Sequence, residues 1–162
     1  MRGSTSSYVR NPMKLLAGLA LGLAVARPAV AQFSAAGTRD LAFGGIIPGV
    51  VSVVSPLDPV KSGTFEIIAN QGTRLRLDFT LPTRLVSTGG AQMTVNFANG
   101  DAILLETAPG STPNTQNPKS MKPYTMTNGN RLILYLGGNV SPTGGQATGV
   151  YTASVLLTVT IL

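Results

Sequence analysis

The clearest regularity along the chain is an alternation of apolar and polar residues with a period of two. In residues 74–81, Leu75, Leu77, Phe79 and Leu81 fall on one side of an extended backbone; Arg74, Arg76, Asp78 and Thr80 fall on the other. A helix would scatter these apolar residues around its circumference, whereas a strand gathers them on one face. Residues 92–98 repeat the pattern with Met93, Val95 and Phe97 inward. The longest alternation is 151–161. Tyr151, Ala153, Val155, Leu157, Val159 and Ile161 share one face, and Thr152, Ser154, Leu156, Thr158 and Thr160 share the other. This predicts one C-terminal strand whose six residues on the first of these faces line the core or border a subunit-pairing groove. A one-residue slip would expose that whole apolar set, so its register should be strongly fixed. Weaker strand signals occupy 40–43, 50–54, 64–69, 102–106 and 131–136, the last with Leu132, Leu134 and Leu136 inward.

Turn chemistry agrees with this reading. Asn99-Gly100 stands between two predicted strands as a two-residue hairpin loop, because Asn and Gly tolerate positive φ. Asn128-Gly129 is a second such loop, and Pro48-Gly49, Gln71-Gly72 and Gly89-Gly90 mark further reversals. Roughly eight short strands at this spacing predict an all-β antiparallel sandwich. No helical pattern of useful length follows residue 31. Residues 108–122, rich in Pro, Asn, Thr and Ser and lacking periodicity, read as a long polar loop that is poorly ordered or functional.

The first 31 residues follow a different logic. Lys14 opens the apolar run Leu15 to Val25, Arg27-Pro28 ends it, and Ala29-Val30-Ala31 follows. A basic start, an apolar middle and a small-x-small end make a cleavable signal peptide, with cleavage between Ala31 and Gln32. Met13 serves equally well as the start. The run falls short of the ~20 apolar residues of a spanning helix, so no transmembrane anchor is expected in the mature chain. The expected organisation is a leader, 1–31, and one domain, 32–162, exported to the periplasm, outer surface or extracellular space.

Charge and composition narrow the functions. The net charge of +6 divides unevenly, because Arg2, Arg10, Lys14 and Arg27 lie in the leader and all six carboxylates follow it. The mature part carries eight basic against six acidic residues, a net +2. That is too little to point to nucleic acid or anionic lipid. Cys and His are absent, which removes thiol nucleophiles, catalytic triads and imidazole or thiolate metal sites. Two of Asp40, Asp58, Glu66, Asp78, Asp101 and Glu106 would suffice for glycoside hydrolysis. Their pattern singles out no pair, and exposed carboxylates are the ordinary case. Asn99-Gly100-Asp101 lacks the repeated acidic spacing of a Ca²⁺ loop. Arg74 and Arg76 share a strand face with Asp78, as exposed charge on an outer sheet face does. No catalytic residue, metal or cofactor is expected.

Three segments together carry a family resemblance. Asp40-Leu41-Ala42-Phe43-Gly44, followed by Ile46-Ile47-Pro48-Gly49, comes soon after the cleavage point. Leu136-Gly137-Gly138 stands near the end, and Gly149-Val150-Tyr151-Thr152 leads into the last alternation. In this order they resemble the bacterial secreted family catalogued as domain of unknown function 4402, which is similar to pilin-like and spore-coat-U-like proteins. The resemblance implies an immunoglobulin-like, pilin-type sandwich and a structural role in a surface, coat or fimbrial assembly. It also implies partners: copies of the chain or related subunits, and a periplasmic chaperone. The chain departs from that group in lacking a cysteine pair and in ending on Thr160-Ile161-Leu162, without a nearby aromatic residue. Residues 32–38 are the expected donor segment for β-addition. The alternative is a self-complete sandwich that recognises a polymer or surface partner through the 108–122 loop.

Overall fold

A computed structural model of the chain describes residues 33–162, so the leader and the cleavage point at Ala31 and Gln32 lie outside the described residues. Among the described residues there is no helix, and none therefore that could cross a membrane. The strands in chain order are β1 (Ser34–Arg39), β2 (Ser52–Val54), β3 (Gly63–Ile68), β4 (Arg74–Thr80), β5 (Arg84–Ser87) and β6 (Gln92–Asn96). They continue with β7 (Ala102–Glu106), β8 (Asn114–Gln116), β9 (Tyr124–Thr125), β10 (Arg131–Leu136), β11 (Gly138–Ser141), β12 (Tyr151–Thr152) and β13 (Leu156–Ile161).

Every pairing is antiparallel. One layer is the sheet β1-β3-β10-β7-β8; facing it are the sheets β12-β5-β6-β11-β2 and β13-β4-β9. The predicted alternations explain why the layers meet. Leu75 and Leu77 of β4 are buried against Ile67 of β3, Leu104 of β7, and Leu132 and Leu134 of β10. A second cluster joins Met93 and Val95 of β6 to Val54, Phe97, Leu136 and Val140. Phe65 and Phe79 pack against both clusters, their rings edge to face at 5.4 Å and 67°. That is the geometry the aromatic quadrupole favours.

The chain crosses between layers at Gly137, the single residue separating β10 from β11. A Cβ there would lie 2.5 Å from the Val54 carbonyl oxygen and 2.6 Å from the Pro56 nitrogen. Only glycine lets these backbones approach so closely. The Gly137 N–H donates to the Asp101 carbonyl at 2.8 Å, which fixes the crossing point.

Several sequence expectations are corrected. Asn99-Gly100 is a turn, with Gly100 at φ 93 and the Asp101 N–H donating to the Ala98 carbonyl, yet it joins no hairpin. The flanking β6 and β7 belong to opposite layers. Asn128-Gly129 likewise connects β9 and β10 of different sheets. Gly89-Gly90 is the true hairpin loop, between β5 and β6. Residues 40–43 form no strand; Ala42 donates instead to the Lys61 carbonyl. Residues 108–122 are not one loop, because Asn114, Thr115 and Gln116 pair with Leu104, Ile103 and Ala102 as β8.

The predicted C-terminal strand is two strands. β12 pairs with β5 and β13 with β4, and 153–155 bridge the change of partner. A matching break lies between their ladder partners, where Leu81-Pro82-Thr83 separates β4 from β5. Proline has no N–H for the ladder, so a continuous partner strand cannot pass it. Tyr151, Val155, Leu157 and Val159 do turn toward the core, half-buried. Ala153 and Ile161 do not line it, and Ile161 is 51% exposed.

Candidate binding cleft

The reason for this partial burial is an open margin. Among the described residues, β1 hydrogen-bonds only to β3, and β13 only to β4, which leaves one edge of each strand unpaired there. Between them lies a cleft of about 1090 Å³. Ala36 and Gly37 of β1 line one wall, Leu156 and Leu157 of β13 another, with Phe65 and Val95 among the deeper residues. From Ser34 to Gly37, β1 is held by its backbone. Its sequence Ser-Ala-Ala-Gly-Thr-Arg offers little apolar surface, and residues 34–38 are exposed. The Thr38 hydroxyl adds bonds to the Thr64 hydroxyl at 2.8 Å and the Thr64 carbonyl at 3.2 Å.

Arg39 and Asp40 carry the only charges among the lining residues. Arg39 is engaged elsewhere: Nε donates to the Ser62 carbonyl at 2.7 Å, NH2 to the Ser62 hydroxyl at 2.7 Å, and NH1 to the Pro59 carbonyl. The turn it grips is itself closed by Asp58, which accepts from the backbone N–H groups of Val60 and Lys61. The Lys61 and Val60 N–H groups hold the Asp58 carboxyl below its ordinary pKa. At the far end the Tyr151 hydroxyl donates to the Ala147 carbonyl at 2.6 Å and accepts from the Gln146 amide at 2.7 Å. The Gln146 amide also reaches the Gln92 carbonyl at 3.1 Å, fastening the 142–149 connection to β6. The cleft is thus a nearly uncharged trough with a free strand edge on each side. Its chemistry suits an extended apolar segment, whose backbone could hydrogen-bond to both edges.

The expected donor, residues 32–38, is placed differently. Ser34 to Gly37 pair with Ile68 to Phe65 of the same chain, so that segment is already committed to β1; Gln32 lies outside the described residues.

The carboxylates are dispersed, and no three of His, Cys, Asp and Glu come together among the described residues. Glu66 pairs with Arg131 at 2.7 Å, Asp78 with Arg76 at 3.3 Å, and Asp101 accepts from the Ala98 N–H at 2.7 Å. Glu106 departs from the exposed-carboxylate expectation: it is 2% exposed. It accepts from the N–H groups of Thr127 and Asn128 at 2.7 and 2.6 Å, and from the hydroxyls of Tyr124 and Thr127 at 2.9 and 3.1 Å. Burial raises its pKa, but these donors outweigh burial and hold the carboxyl below its ordinary value. Burial and the Glu106 charge push the Tyr124 phenol up to about 12, so it remains a donor. The signal for this staple was in β7 itself, because Ala102, Leu104 and Glu106 share the core-facing phase. Beside it, Ser111, Asn114, Tyr124 and Asn128 line a smaller hollow of about 260 Å³.

Compared with known proteins, the chain matches no family model, no curated protein and no solved structure.

Proposed function

We propose that this chain is an exported, non-enzymatic structural subunit, an immunoglobulin-like sandwich of pilin type left open along one margin. A partner subunit completes it by laying an extended, uncharged apolar segment between β1 and β13. The leader ending at Ala31 directs it to the periplasm or cell surface, where a chaperone or a related subunit supplies that segment. One observation carries this reading: two unpaired strand edges flank an apolar cleft whose wall leaves Tyr151, Val155 and Leu157 half-covered. The donor belongs to another polypeptide, because the chain's own N-terminal strand is occupied by β3.

The test is a variant carrying an alternating apolar strand joined by a short linker after Leu162. Filling the cleft in this way raises the thermal midpoint and abolishes association with other subunits. An unchanged midpoint with normal association overturns the reading.

One observation favours the alternative of recognition through residues 108–122. The Ser111 hydroxyl oxygen is buried without a hydrogen-bond partner at the smaller hollow. Ser111→Ala separates the two readings, since it leaves cleft-dependent association intact and weakens only recognition through that segment.

A further inference from the structure

We propose that the outer edge of β2 is a second interaction surface, at which two copies of this chain pair antiparallel about a two-fold axis. This inference does not use the cleft. Among the described residues, β2 hydrogen-bonds only to β11, and its other edge is unpaired. Edge strands are ordinarily blunted by charge, proline or polar side chains, because bare edges invite pairing. Two other edges of the fold follow that rule. β8 reads Asn-Thr-Gln, and the two-residue β9 follows Lys122-Pro123. β2 is as short as β8, but it reads Ser-Val-Val, with neither charge nor proline within it.

The exposed apolar surface around it is large for one stretch of chain. Val53 is 71% exposed, and Ile47, Val50, Val51, Leu57 and Val60 are each more than half exposed. Six such side chains within fourteen residues are more apolar exposure than singly scattered surface residues give, the kind of surface that marks an interaction site. Val54 points into the core, so Val51 and Val53, in the opposite phase, point away from it.

The character of the surface identifies a second copy as the partner. No residue from Leu41 to Leu57 is charged, and the Asp58 carboxylate beside Val60 is turned to the Val60 and Lys61 N–H groups, so two copies meet along β2 without like-charge repulsion. An antiparallel pairing centred on Ser52 sets Val51 of each copy opposite Val53 of the other. Cross-strand pairs of β-branched residues of this kind are favourable. The contact is isologous and closes on itself. It joins two five-stranded sheets into one. An anionic lipid surface would require basic side chains here, and Lys61 is the sole cation between Asp40 and Thr73.

The experiment is sedimentation equilibrium on the exported protein with its cleft filled by a synthetic alternating apolar peptide, so that cleft-mediated assembly is silent. A reversible dimer is expected. Val53→Lys should weaken it by about tenfold or more, and Val53→Thr should retain it. Far-UV circular dichroism and the unfolding midpoint of the monomer should stay unchanged in both variants. A monomer at every soluble concentration, a dimer equally strong in Val53→Lys, or a monomer that binds anionic vesicles through this face would each overturn the proposal. Failure of the peptide to bind counts against the cleft reading alone, because the β2 dimer would still form.

Discussion

β4 and β13 are neighbouring strands with the same alternation, yet they end in different environments. Leu75 and Leu77 of β4 are at most 1% exposed, because β3, β7 and β10 lie across the layer from them. Leu157 and Val159, opposite Phe79 and Leu77 in the ladder, turn the same way but are only half covered. Alternation therefore encodes which side of a strand faces inward, and the opposing layer decides whether that side is covered. Full burial of a Leu or Val stabilises by about 1.5–3 kcal/mol. The open margin leaves part of that unrealised, and an added strand would recover it.

Mutations on the two sides of this boundary should differ accordingly. Leu134→Ala, in the closed half, is expected to cost about 4 kcal/mol by chemical denaturation, as for a fully buried leucine. Glu106→Ala is expected to cost about 3 kcal/mol, because it leaves the Thr127 and Asn128 N–H groups buried without an acceptor. The same residue gives the closed half an acid dependence. Its folded pKa lies below the ordinary value of 4.5, so its contribution is complete above about pH 4.5 and is lost as pH falls through the lowered value. Denaturation across that window should show wild type and Glu106→Gln converging in stability as pH drops. Asp58 is shifted the same way, and Asp58→Asn separates its share.

The open margin should respond more weakly. Leu157→Ala is expected to cost about 1–2 kcal/mol in the free protein, less than a closed-core leucine because part of it is already solvated. Its cost should rise once a strand occupies the cleft. Thr158→Ala, on the outer face of β13, should stay within about 0.5 kcal/mol of wild type. Equal losses for Leu134→Ala and Leu157→Ala would erase the distinction between the two halves.

The legible parts of the fold were those in which both strand faces differ in polarity. Residues of β4, β6 and β10 show it, and the structure buries Leu75, Met93 and Leu132 as their phase requires. β1 was illegible because Ser-Ala-Ala-Gly-Thr-Arg is held by its backbone and has no apolar face to display. β5, β8, β9 and β11 are two to four residues long, too short for a periodicity to establish itself. Turn residues marked where the chain reverses but not which layer it enters next, as Asn99-Gly100 illustrates. The phase of the C-terminal alternation was visible, but its break at 153–155 depends on Pro82, distant in sequence. The cleft itself was not encoded by any residue pattern; a groove beside the C-terminal strand was expected from the family resemblance alone, and the structure shows unpaired edges of β1 and β13 flanking it.

Amide hydrogen exchange compares the two halves most directly. In the free protein, the amides on the outer edge of β13 should exchange far faster than those of β10, which is paired on both sides. Adding an extended apolar peptide should slow exchange along β1 and β13 together and leave β10 unchanged. If β13 is already as protected as β10, or if bound peptide leaves both edges exchanging freely, the open margin is not a strand acceptor.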